Sequence, residues 1–146
     1  MKKFIYLLMT LLGFGAVSCE QITEEVSGEY GVPHVNFSLK ARVVDEAGEP
    51  IEGIKVRVDW VEEYTNQDGE ISINDSVYTG SITRVRFEDV DGEENGGEFE
   101  TLTLDITDKV EKTEDGYGGW YDGAYKAELG DVTLTLKTEA TEVENQ

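Results

Sequence analysis

One cysteine and one histidine are all that this chain of 146 residues offers for thiol or imidazole chemistry. A lone cysteine, Cys19, rules out an intrachain disulfide. With His34 the sole imidazole, a zinc site built from Cys and His lacks its donors, and Cys–His or Ser–His nucleophile pairs lack a centre. Positive charge is scarce as well. Twelve Lys and Arg face 32 Asp and Glu, for a formal charge of −20. Nucleic acid is therefore an unsuitable partner, because its phosphates call for clustered basic side chains. The chain has no Gly-Lys-Ser/Thr loop to cradle a phosphate. No stretch reads as an amphipathic helix of ordinary length, and no apolar run reaches the ~20 residues of a spanning helix.

What the chain does have is alternation. Hydrophobic residues make up 38% and aromatics 10%, enough for a packed core despite the charge. In Phe37-Ser38-Leu39-Lys40-Ala41-Arg42-Val43 the apolar side chains share one face and the polar ones the other. The same holds for Ile54-Lys55-Val56-Arg57-Val58-Asp59-Trp60. A period of two with β-branched and aromatic residues marks a half-buried strand. Asp45 to Gly53 is a connection of turn formers, with Pro50 between Gly48 and Gly53. Gln67-Asp68-Gly69 reads as a hairpin turn. Ile71 and Ile73 alternate with Ser72, and further strands are expected over 82–89 and 99–106. Residues 107–119 are polar and Gly-bearing, with no strand pattern. The segments 120–129 and 132–137 read as a closing hairpin around Gly130-Asp131. About seven short strands predict an all-β, antiparallel Greek-key sandwich, its core holding Phe37, Trp60, Phe87 and Trp120.

The N-terminus has a different character. Met1-Lys2-Lys3 is basic, residues 4–17 are mostly apolar, and Ala16-Val17-Ser18-Cys19 follows. That is the layout of a signal peptide. Small residues before the Cys resemble a bacterial lipobox, which implies cleavage before Cys19 and diacylglycerol on its sulfur. Acidic residues just after the Cys resemble surface-export signals. The chain thus divides into a lipoprotein signal peptide (1–18), a flexible tether (19–35) containing His34, a sandwich domain (36–137) and a disordered tail (138–146). The expected location is the cell envelope, lipid-anchored, at the outer membrane or cell surface.

The spacing Val43-Val44-Asp45-x-x-Gly48-x-Pro50-Ile51-x-Gly53-Ile54-x-Val56, followed by Thr65-x-x-Asp68-Gly69-x-Ile71, resembles the carboxypeptidase regulatory-like domain. The resemblance implies a seven-stranded prealbumin-like (transthyretin-like) sandwich and a module without catalysis. The lipobox, the early hairpin, the acidic stretch 87–97 and the closing Gly119-Trp120-Tyr121-x-Gly123 together resemble the Bacteroidetes lipoproteins encoded beside a radical SAM enzyme. That resemblance implies partnership with a modifying enzyme.

Three constellations remain. Asp89, Asp91, Glu93 and Asn95 place oxygen ligands at alternate positions, as a Ca²⁺ loop does, although the glycine spacing departs from an EF-hand. The plainer reading is a solvated acidic loop. Tyr117, Trp120, Tyr121 and Tyr125 stand among glycines, and exposed rings beside carboxylates can stack on sugars. The plainer reading puts Trp120 and Tyr125 in the core and leaves Tyr117 and Tyr121 exposed. Lys40, Arg42, Lys55, Arg57, Arg84 and Arg86 fall on outward strand faces, as a basic stripe or as cross-strand ion pairs. The expected function is a non-enzymatic envelope lipoprotein that binds or scaffolds, either with a radical SAM partner system or as an accessory module for a surface protein or glycan.

Overall fold

The computed structural model describes residues 31–138. Eight strands are present: β1 His34–Val44, β2 Ile54–Val58, β3 Val61–Tyr64, β4 Glu70–Tyr78, β5 Arg84–Asp89, β6 Leu102–Asp105, β7 Val110–Tyr117 and β8 Tyr121–Thr133. They form two four-stranded sheets, ordered β4-β1-β8-β7 and β3-β2-β5-β6. All neighbours are antiparallel except β1 and β8, which run parallel. The all-β class expected from the sequence is found, with one strand more than expected and one mixed sheet. Among the described residues no helix is long and apolar enough to cross a membrane.

Alternation along β1 and β2 builds the core. Val35, Phe37, Leu39 and Val43 point inward from β1, and Ile54, Val56 and Val58 from β2. Val85 and Phe87 on β5, Ile71, Ile73 and Val77 on β4, and Ile106 and Leu134 complete one shared cluster. Each such side chain, fully buried, contributes about 1.5–3 kcal/mol. The strand begins at His34, with Val35 fully buried, so both residues expected at the end of the tether belong to β1.

Four local expectations need correction. Trp60 is 50% exposed and Trp120 is 39% exposed. β2 ends at Val58, and the turn Asp59-Trp60 leads directly into β3, so Val58 and Val61 both face inward and Trp60 cannot. Asp59 takes a φ of +57° there. Residues 110–117, polar and Gly-bearing without a strand pattern, form a strand. β7 was invisible to periodicity because it is an edge strand with nearly every side chain exposed, its charges guarding an open edge. Gly130-Asp131 does not turn the chain. The register passes from Lys40↔Glu128 to Arg42↔Asp131, so β8 gains one residue as a bulge and runs on. Finally, the turn ending at Gly69 joins β3 to β4, which lie in different sheets, and so crosses the sandwich instead of closing a hairpin.

Candidate functional site

The pairing of the four strands β4-β1-β8-β7 places one aromatic ring on each at the same end. Tyr78 lies opposite His34, His34 opposite Tyr121, and Tyr121 opposite Tyr117. Buried Val77 and Val35 flank Tyr78 and His34, so alternation turns these two side chains to the outer face. The His34 and Tyr121 ring centroids are 5.7 Å apart, and those of Tyr117 and Tyr121 are 5.2 Å apart. At the other end Trp60 packs edge-on against Tyr78 at 4.5 Å. Trp120 follows Gly118 and Gly119, both at positive φ, in the β7–β8 turn. Six rings thus form a band around one end of the sandwich. Tyr117 is the most open, at 76% exposure.

The band is held by polar contacts. The His34 N–H donates to the Trp120 carbonyl at 2.9 Å, and the Thr79 N–H to the Pro33 carbonyl at 3.1 Å. The Thr79 hydroxyl donates to the Asp122 carboxylate at 2.8 Å. The Asn36 amide donates to the Tyr121 hydroxyl at 3.4 Å. Partial burial, with the nearby Glu114 charge adding to it, pushes the Tyr121 hydroxyl above its ordinary pKa, so it stays a neutral donor. A shallow depression of about 490 Å³ lies here, lined by the rings of His34, Tyr117, Trp120 and Tyr121 with Asn36 and Glu114. Flat apolar faces beside amide and carboxylate groups can stack on a sugar ring and hydrogen-bond its hydroxyls.

Of the residues singled out in the sequence, Tyr117, Trp120 and Tyr121 meet in this depression. Tyr125 does not. It lies farther along β8, opposite Phe37 and Lys112, half-buried against the core with the Lys112 ammonium 5.8 Å from its ring centre. His34, Tyr78 and Trp60 were missed as members of the site. Strand pairing brings His34 and Tyr78 to it and packing on Tyr78 brings Trp60, and no local motif announces either.

The acidic run behaves as a folded loop. Both Asp89 carboxylate oxygens are engaged, accepting from the Phe99 N–H at 2.8 Å and the Asp91 N–H at 3.2 Å. The Asn95 amide donates to the Asp91 carboxylate. Burial pushes Asp89 above its ordinary pKa, opposed by the Phe99 N–H bond. Among the described residues no three His, Cys, Asp or Glu side chains are grouped to hold a metal ion. Of the expected ligands, Asp89, Asp91 and Asn95 lie within reach of one another through these contacts, and the three carboxylates Asp89, Asp91 and Glu93 are not grouped. The basic residues also divide. Lys40 and Arg42 lie on β1, whereas Lys55, Arg57, Arg84 and Arg86 lie on β2 and β5 of the other sheet. Ion pairs join Arg42 to Asp131, Lys55 and Arg86 to Glu88, and Arg57 to Glu62. Cys19 lies outside the described residues.

No family model matches the chain, and no curated protein matches it.

Proposed function

We propose that this protein is a non-enzymatic binding module of the bacterial envelope that recognises glycans through the aromatic band at one end of its mixed sheet. The observation that carries this reading is the row Tyr78–His34–Tyr121–Tyr117, one ring per strand, with Tyr78 and Tyr117 exposed and His34 and Tyr121 half-buried between them. Folding alone gives no reason to leave Trp60, Tyr78, Tyr117 and Trp120 exposed at one end, and clustered exposed apolar surface marks a binding site. Polar groups at its rim, Asn36, Glu114 and the Tyr121 hydroxyl, supply the hydrogen bonds that a sugar demands. The proposal includes an anchor, diacylglycerol on Cys19 after removal of residues 1–18, resting on the lipobox-like Ala16-Val17-Ser18-Cys19. It also takes the sandwich as a variant of the prealbumin-like module, supported by the way the motif residues Gly53, Thr65 and Gly69 interlock in one turn cluster. Association with a radical SAM system rests on the order of sequence motifs alone and is secondary to the binding role.

The test is a glycan array probed with the purified protein and with Tyr121→Ala. We expect at least one glycan class to bind, and the variant, folded by circular dichroism, to lose about tenfold or more in affinity. Equal binding by the variant, or no glycan bound, contradicts the reading.

A further inference from the structure

Trp60 stands where the aromatic band meets a cluster of arginines on the other sheet. Arg57 on β2 and Arg86 on β5 lie directly opposite each other, and these are the two central strands of β3-β2-β5-β6. Arg84 follows two residues earlier on the same face of β5. Like charges directly opposed across strands are destabilising. Ion pairs on this face oppose that repulsion. Glu88 is shared between Lys55 at 3.3 Å and Arg86 at 3.4 Å, and Glu62 reaches Arg57 at 3.8 Å. Arg84 makes no ion pair among the described residues. Asp105, opposite Arg84, has one carboxylate oxygen held by the Thr107 hydroxyl at 2.6 Å and the Thr107 N–H at 2.9 Å, and feels the Arg84 charge without an ion-pair contact. Between the three arginines lies a depression of about 470 Å³, with Ser81 and Thr103 on its wall and the Arg86-paired Glu88 at its side.

Asp59 ties this depression to the band. It lines the hollow, its carbonyl accepts from the Arg57 Nε at 2.7 Å, and its carboxylate accepts from the Tyr78 N–H at 3.1 Å. The next residue is Trp60, packed on Tyr78.

We infer that the Arg57–Arg84–Arg86 hollow binds the carboxylate or sulfate of an acidic glycan whose neighbouring sugar stacks on Trp60. This rests on the glycan-binding reading above and adds the charge class of the ligand. An oxyanion between the three guanidinium groups replaces their repulsion with charge-assisted hydrogen bonds, and Ser81 and Thr103 add neutral donors. The exposed Trp60–Tyr78 pair favours a sugar over an acidic peptide.

The experiment is calorimetric titration of the full chain with an oligogalacturonate, a sulfated oligosaccharide and a neutral galacto-oligosaccharide of equal length. We expect an acidic oligomer to bind more tightly than the neutral one, with the advantage removed by high salt. Arg84→Gln, exposed and on a strand surface, is expected to lower acidic affinity about tenfold. Trp60→Ala is expected to weaken both acidic and neutral ligands. Equal affinity for acidic and neutral oligomers, or an Arg84→Gln variant that binds the acidic oligomer undiminished, overturns the inference while the aromatic band stands. Binding of none of the three overturns this inference, and the array above then decides the glycan reading separately.

Discussion

The hydroxyl of Thr65 accepts the N–H of Ile54 at 2.9 Å, and its own proton goes to the Ile51 carbonyl at 2.7 Å. Thr65 is the one buried polar residue among those described, and it pins the start of β2 to the turn after β3. Its backbone completes the link, with the Thr65 N–H donating to the Ile54 carbonyl and the Gly53 N–H to the Thr65 carbonyl, both at 3.0 Å. Thr65→Val keeps the shape and leaves a buried N–H and a buried carbonyl short of partners. The expected loss is about 1–3 kcal/mol, read as a lower urea midpoint at unchanged slope.

Gly69 is a second fixed point of the same cluster. Its φ is +70°, and a Cβ there collides with the Val43 carbonyl oxygen. Its own carbonyl accepts from the Val43 N–H at 2.7 Å. Gly69→Ala is expected to cost at least ~2 kcal/mol and to lower the melting temperature by several degrees. Gly48, at φ +85° with open space around it, serves as the control and loses less on the same change.

These turn residues explain how far the sequence was readable. β1 and β2 alternate strictly because each has one face on the core, so their periodicity is the burial pattern itself. Edge strands carry no such record. β3 reads Val61-Glu62-Glu63-Tyr64 with one inward residue, and β7 buries almost nothing. Gly130-Asp131 has turn chemistry, but a bulge needs the same positive φ, and only the pairing partner decides between them. The candidate site was half visible. Tyr117, Trp120 and Tyr121 stand together in the sequence, whereas His34 and Tyr78 arrive through strand register and Trp60 by packing on Tyr78 from the other sheet.

Trp60 and Trp120 are the only two tryptophans, and both are substantially exposed. Intrinsic fluorescence of the folded protein is therefore expected to resemble that of water-exposed indole and to be readily quenched by acrylamide. Unfolding should shift the emission only slightly. Strongly blue-shifted, quencher-resistant emission contradicts the placement of both rings.

Asp89 predicts a pH dependence. Burial holds its folded pKa above the ordinary 3.8, so the folded chain retains this proton where the unfolded chain has lost it. Its contribution is complete below pH 3.8 and declines as pH rises through the folded value. Subtracting the unfolding free energy of Asp89→Asn from that of the parent is expected to give a difference that falls across this window and then levels off. Glu88, drawn down chiefly by its hydrogen bond with Lys55, and Asp105, drawn down by Thr107, act with the opposite sign and cancel in the subtraction. A flat or rising difference contradicts the burial of Asp89.

The anchor has its own measurement, the intact mass of the protein from its host. The expected mass is residues 19–146 plus a diacylglycerol-based lipid, and Cys19→Ser should move the protein out of the membrane fraction. An additional mass on a side chain would point to a modifying enzyme as partner. An unlipidated chain beginning elsewhere removes the anchor from the proposal.

The most direct measurement of the binding face uses the two indole N–H signals in an ¹H–¹⁵N spectrum during titration with a glycan selected from the array. Trp60 and Trp120 sit toward opposite ends of the band, so binding along it is expected to move both signals along with the backbone signals of His34 and Tyr121. If the glycan binds while both indole signals and these backbone signals stay in place, the aromatic band is not the binding site.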